Sequence, residues 1–477
     1  MRNARSIWTP LALALVACSN NSGVPNNFAV SPDQKHVIVT NREAARSIDV
    51  DTGNEVARAE TPNPLVTFST DGALLLTRTA RGTLLLMPTA GGSQIDLGQA
   101  IDVGTASPNH ARIAFLRNKV ACPFSPPGQG WLCGDLMVAS AESGEAVRVA
   151  SGIRLLADRD GVVAPTNAFD TYEFADNDTL VYTNFESSLL SVPADGSAPP
   201  RRIAGPRGIS PGQVPLTPIW CATPNGQVAY TDSEGLKLVP ARSGTPMMLV
   251  PDPDAHASAY FRSPNYHVRN VACQLSPDGA YLAATDFQRP SYVKLVAVLG
   301  STALTFPTPN NFWVAFNANG ELLFWDHSGT LSVAAISGDV RSIGVSLNDL
   351  SASIALSPDH RWIAVSKAFH VPACFNCIYL EMVSSSTGES WTIADENGAL
   401  TVWGFGFSPD SSSLLILALR RPNNNTTDSE VDLSVVPITG GVPKVLERNV
   451  RTAEWVDSQH IVFRHDQSAG INIRRVP

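Results

Sequence analysis

The 477-residue chain is short of charge, of aromatic side chains and of long apolar runs. Only 16% of its residues are charged and 7% aromatic. Lys and Arg never gather beyond a pair (Arg201 and Arg202, Arg420 and Arg421, Arg474 and Arg475), and the formal charge is −9. Binding a polyanion requires a basic patch that displaces its counterions, so nucleic acid is not an expected partner. After residue 17 no stretch is long and apolar enough to cross a bilayer as a helix. The nine histidines are scattered, and neither a metal site nor a cofactor is expected. No segment of a dozen residues carries a 3.6-residue apolar period, which leaves strands as the building material.

Residues 1–17 are laid out as an export leader. Arg2 and Arg5 form a basic start, 11–17 a short apolar core, and small residues precede Cys18. The run Leu15, Val16, Ala17, Cys18 resembles the bacterial lipobox. The resemblance implies cleavage before Cys18 and acylation of that residue, and two or three acyl chains hold a protein on a membrane where one does not. Residues 18–27 are polar and read as a lipidated tether. The expected location is therefore the cell envelope. Ser19 after the cysteine resembles the enterobacterial signal for outer-membrane sorting, on either the periplasmic side or the cell surface.

The rest of the chain, 28–477, repeats one pattern. A hydrophobic approach leads into a turn of the Ser-Pro-Asp-Gly type, followed by a strand of aliphatic residues. Clear copies start at Ser31, Ser276, Ser357 and Ser408. Degraded ones start at Ser69, Ser107, Thr223 and Asn317, and the weakest lie at Ala175 and Val456. These ten copies recur about every 47 residues, the spacing of a propeller blade built from four short strands. Proline presets φ at the second turn position, Asp or Asn tolerates the next, and glycine accepts positive φ. A second set of Gly turns, such as Asp51-Thr52-Gly53 and Ser386-Thr387-Gly388, marks the outer hairpins. The expected fold is all-β, a β-propeller of four-stranded antiparallel blades. The number of blades and their grouping into one ring or two stay open between seven and ten. The last copy ends after a third strand near Ile471.

This turn and strand pattern resembles the TolB-like, PD40-type repeat, shared with the propellers of prolyl-oligopeptidase-type enzymes. The resemblance covers roughly 28–475. It implies a periplasmic scaffold, a substrate filter or a lipoprotein, and it says little about ligand.

Beyond Cys18 the cysteines number six, an even set that suggests disulfides in an exported chain. Cys122 with Cys133 and Cys374 with Cys377 are expected as local bridges. Cys221 and Cys273 each precede a turn, by three and four residues respectively before its proline. Side chains alternate along a strand, so this opposite parity suits a bridge between neighbouring blades. The Cys374-Phe375-Asn376-Cys377 spacing lacks the helix N-terminus that a redox pair needs, and His370 with both cysteines falls one ligand short of a zinc site. Gly208-Ile209-Ser210-Pro211-Gly212 matches a nucleophile elbow in letters only, because Pro211 has no N–H to offer an oxyanion. Asp158-Arg159-Asp160-Gly161 and 49–53 lack the ligand spacing of a calcium loop.

Label the strands of a blade a to d outward from its first strand. The long connections at 117–134, 286–292, 367–377 and 420–430 are all b–c, and those at 151–171, 204–217 and 251–269 are all d–a. Both kinds open on one face, and insertions gathered on one face of a repeat array mark a binding face. Its candidate contact residues are Tyr260, Phe261, Arg262, Tyr266, His267 and Arg269, with Trp131, Phe369 and His370. Aromatics beside arginines suit a sugar, a peptide or a partner surface. The expected role is binding or scaffolding, toward an envelope protein or a polysaccharide, with no catalytic residue assigned. The competing class is an enzyme with its site in the propeller channel, of lactonase or quinoprotein type.

Overall fold

In a computed structural model the described residues are 27–40, 44–60, 65–69, 71–79, 81–102, 104–122, 132–155, 172–205, 220–222, 226–232, 234–251, 273–276, 278, 280–286, 291–298, 303–308, 314–346, 350–371, 374–393, 401–419, 431–465 and 471–476. Among them every regular element is a strand. Ten antiparallel sheets follow one another along the chain, each built from consecutive strands, nine of them four-stranded and the last three-stranded. They are ten β-propeller blades. Five lie in a compact unit of Met1–Ala259 and five in a second of Tyr260–Pro477. Blades 1–5 span 27–60, 65–99, 105–155, 172–204 and 220–251. Blades 6–10 span 273–308, 314–346, 350–393, 401–448 and 450–475.

Within each unit the core is a series of seams between consecutive blades. Leu116, Leu136 and Val138 of blade 3 pack on Tyr172, Leu180 and Val192 of blade 4. Leu380, Met382 and Ile393 of blade 8 pack on Leu414, Ile416 and Val436 of blade 9. Strands b and c are apolar on both faces where a blade is packed between two neighbours of its unit, as blade 3 is. Strands d alternate, as the exposed–buried pattern of Val340–Ser346 shows.

The recurrent turn is held by its serine as much as by its proline and glycine. In six copies the Ser hydroxyl donates to the Asp or Asn two residues on, at 2.5–2.8 Å. It also accepts the N–H five residues on, at 2.9–3.1 Å. The Asp or Asn side chain in turn takes the N–H two residues further, at 2.8–3.2 Å. The serine hydroxyl and the Asp or Asn side-chain oxygen are thereby satisfied within the turn. In blade 7 Asn317 does the serine's work, accepting from the N–H groups of Asn319 and Glu321.

The same turns also join blades. His110 reaches Asp71 at 3.3 Å, and Arg242 reaches Asp176 and Asp178 at 3.0 and 2.8 Å. In the second unit the N–H of Asp359 donates to Ser411 Oγ at 3.0 Å, and Trp455 Nε1 donates to the Gly406 carbonyl at 3.0 Å.

The fourth turn position is left-handed in seven of the copies. Gly72 has φ +77°, whereas Gln34 adopts +63° and carries a side chain there. A Cβ on Gly72 would also sit 2.7 Å from the Asp33 amide nitrogen of the preceding blade. Gly72→Ala is therefore expected to cost about 2 kcal/mol or more, and Gln34→Gly to gain about 1 kcal/mol, since an L-residue in this region loses about 1–2 kcal/mol. Denaturant midpoints of the two variants, moving in opposite directions, check this.

Candidate binding face

Two of the long b–c connections are extended sheet rather than loop. Strand b of blade 3 is Arg112–Ala121 and strand c is Leu132–Ser140, against only five residues in strand b of blade 2, Leu74–Arg78. Strands b and c of blade 8 are Trp362–Val371 and Cys374–Ser384. The hairpins of blades 3 and 8 thus project past the ordinary strand length at the b–c end.

The blade 3 hairpin is an arm closed by the expected disulfide, Cys122–Cys133, with its Cα atoms 5.0 Å apart. The ladder shifts register between Arg117 and Val120, where Asn118 takes a left-handed φ of +58°. That bulge turns the arm. Asn118 Nδ2 donates to Asp135 across the hairpin at 2.9 Å, and Val120 stands 56% exposed. Serines in place of Cys122 and Cys133 remove a loop constraint of about 3 kcal/mol. Amide exchange along 117–121 and 132–135 should accelerate at least tenfold, while the seam of blades 3 and 4 keeps its protection.

The base of this arm is clamped to the chain that leads into it. Arg117 donates from Nε to the Gln99 carbonyl at 3.0 Å and from Nη2 to the Leu97 carbonyl at 2.6 Å. Arg78 Nε holds the Ala100 carbonyl at 2.8 Å, and the Ile101 amide donates to the Leu116 carbonyl at 2.7 Å. Next comes Asp102, only 1% exposed. Its Oδ1 accepts the Leu116 N–H at 2.9 Å, and its Oδ2 accepts the hydroxyl of Tyr172, the first residue of blade 4. Strand a of blade 3 is just Thr105–Ala106, so the Asp102 carboxylate completes what backbone pairing leaves open on strand b. Burial drives its pKa from 3.8 up to about 6, against the opposing pull of the Leu116 amide, Tyr172 and Arg78. Nothing in the sequence marks this residue. It is a lone Asp in a linker, and its phenol partner lies 70 positions away.

In blade 8, Lys367 forms an ion pair with Glu381, both largely buried. Val365 sits opposite Glu381 in the ladder and Lys367 opposite Tyr379. Lys367 therefore continues the apolar stripe of Ile363 and Val365 that faces blade 7. Phe369 and His370 lie on strand b, with the register shifting between Phe369 and Val371; their side chains fall outside the described residues. Cys374 and Cys377 both lie on strand c. An extended strand sets positions three apart about 10 Å from each other, so a bridge between them requires the strand to give up that extension. Cys221 and Cys273 occupy the first strands of blades 5 and 6, as expected, opposite Ala229 and Ala284. The side chains of these four cysteines are not among those described.

Tyr260, Phe261, Arg262, Tyr266, His267, Arg269, Trp131 and Cys18 lie outside the described residues, as do the segments 156–171 and 206–219. Asp49 is a turn residue, holding the Thr52 N–H and hydroxyl at 2.8 and 2.7 Å, and those bonds pull its pKa down. In the first strand of blade 10, burial pushes Glu454 up to about 7. Among the described residues no group of three His, Cys, Asp or Glu side chains is placed to hold a metal ion, and no helix is long and apolar enough to cross a membrane.

No protein-family profile and no curated protein matches the chain. Among solved structures it is similar to a eukaryotic initiation factor, at 14% identity and a TM-score of 0.52 over 88% of this chain and 96% of that one. It is also similar to Porphyromonas gingivalis dipeptidyl peptidase 4, at 13% identity and a TM-score of 0.48 over 89% of this chain and 60% of that one. The C-terminal WD40 domain of Sif2 matches at 10% identity and a TM-score of 0.41, over 88% and 97%. At such identities the likeness is one of fold alone.

Proposed function

We propose that the chain is a TolB-like, lipid-anchored binding or scaffold protein of the bacterial cell envelope. On this reading it engages an envelope protein or polysaccharide through the b–c end of its blades. The observation that carries the reading is the blade 3 arm. Its strands are about twice the length of those in blade 2, a disulfide cross-links them, and its base is fixed by three hydrogen bonds to the last strand of blade 2 and the linker after it, two from Arg117 and one from the Ile101 amide. A preorganised protrusion loses little entropy on binding. The lipobox-like run at Cys18 supports the membrane attachment.

A photo-cross-linking residue at Val120 should give a discrete adduct in intact cells, whether with a protein or a glycan. The same group at Glu142, exposed on the c–d turn of the same blade, should give none. Equal labelling at both positions, or none at either, overturns the binding reading. Anchoring is tested separately: Cys18→Ala should lose palmitate label and leave the membrane fraction. Retention of both would remove the lipid anchor from the proposal.

A further inference from the structure

We infer that Asp102 and Tyr172 form a two-state proton switch between blades 3 and 4, in which taking up one proton reverses a hydrogen bond and transfers the tyrosine's donor to the backbone of blade 3. With Asp102 ionised, the Tyr172 hydroxyl donates to Oδ2. A second acceptor is already in place, since the Ala114 carbonyl of strand b lies 3.4 Å from the same hydroxyl. When a proton from solvent binds Oδ2, the new carboxyl O–H donates to Tyr172 Oη, and the phenol hydrogen turns to Ala114. The Leu116 N–H keeps its bond to Oδ1 in both states. Each state satisfies all its buried donors, a condition for two populated arrangements rather than one native state and one broken one.

The groups facing Asp102 are few. Strand b of blade 3 presents the Leu116 amide, strand b of blade 2 sends Arg78, and strand a of blade 4 sends Tyr172. Arg117 is turned to the carbonyls of Leu97 and Gln99. Burial sets the carboxyl near 6, with Arg78 and the two hydrogen bonds pulling the other way. Burial, reinforced by the Asp102 charge, drives the phenol well above its ordinary value, so Tyr172 keeps its proton in both states. The consequence is mechanical. The 3.4 Å contact is long for a hydrogen bond and shortens to about 2.8 Å once it carries the proton, drawing the first strand of blade 4 toward the base of the arm.

This inference needs no ligand and does not depend on the binding proposal. The chain has eight tyrosines, so Cζ-labelled tyrosine gives a tractable NMR spectrum of the full protein, with Tyr172 identified by its loss in Tyr172→Phe. The Tyr172 signal should titrate with a midpoint near 6. In Asp102→Asn, which keeps the acceptor for Leu116 and donates permanently to Tyr172, it should be fixed from pH 4.5 to 7.5. A flat wild-type signal over that range, or a titration that persists in Asp102→Asn, overturns the switch. Crystals at pH 5 and pH 8 give the second reading: a Tyr172–Ala114 distance that does not shorten at pH 5 overturns the donor transfer.

Discussion

Glu381→Ala is expected to destabilise the protein by about 3–5 kcal/mol, because it strands the Lys367 ammonium in an apolar seam with its partner carboxylate removed. Lys367 is 7% exposed and sits at the end of the stripe formed by Ile363 and Val365. The size of the loss measures the uncompensated charge rather than the strength of the pair. The control is the double variant Lys367→Met with Glu381→Leu, which extends the stripe and should return to within about 1 kcal/mol of wild type or exceed it. Urea unfolding of the three proteins decides the matter. A Glu381→Ala variant as stable as wild type would mean that water reaches the lysine.

The second large effect is the pH dependence of Asp102→Asn. The folded carboxyl titrates near 6 and the unfolded one near 3.8. The folded state therefore holds its proton more tightly. Its contribution is fully present below the unfolded value and is lost as pH rises from about 4 to 6, after which the curve is flat. About two pH units of separation correspond to roughly 3 kcal/mol. The asparagine does not titrate. Relative to wild type, it should thus gain about 3 kcal/mol in going from pH 4 to pH 8. Thermal midpoints against pH, converging in acid, separating between about pH 4 and 6 and parallel above that, are the expected result, and curves parallel over the whole range would refute it. Glu454, raised to about 7 by burial, slopes the same way and persists in both proteins, so it cancels in the comparison.

Much of this fold is legible in the letters, and the reasons are local. The turn motif completes its own hydrogen bonds within six residues, so its copies mark blades even where proline or glycine has been replaced. What proline and glycine do not reveal is the serine's bond to the aspartate, which explains why Ser31, Ser69, Ser107, Ser276, Ser357 and Ser408 recur so faithfully. The pairing of Cys122 with Cys133 is readable for the same reason, because the partners face each other across one hairpin. The two arms are misread as loops. The residues that lengthen them, 117–121 with 132–134 and 367–371 with 374–377, mix polar and apolar side chains without a steady period, which hides them as strand. Asp102 belongs to the other kind of feature. Its meaning comes from a tyrosine in the next blade and an arginine in the previous one, and no pattern along the chain connects them.

The seams have a consequence for how the chain is made. Each blade is a run of hairpins between chain neighbours, and within a unit its apolar faces pack on its sequence neighbours, as blade 3 packs on blades 2 and 4. Hairpins close in about 1–10 μs, whereas a ribosome adds roughly 5–20 residues per second, so the next repeat takes seconds to appear. Blade 2 can thus be complete while blade 3 is still being polymerised. At any moment the nascent chain exposes one uncovered apolar face rather than a whole unfolded core, and the Asp102–Tyr172 bond is made only when the fourth repeat arrives to cover the third.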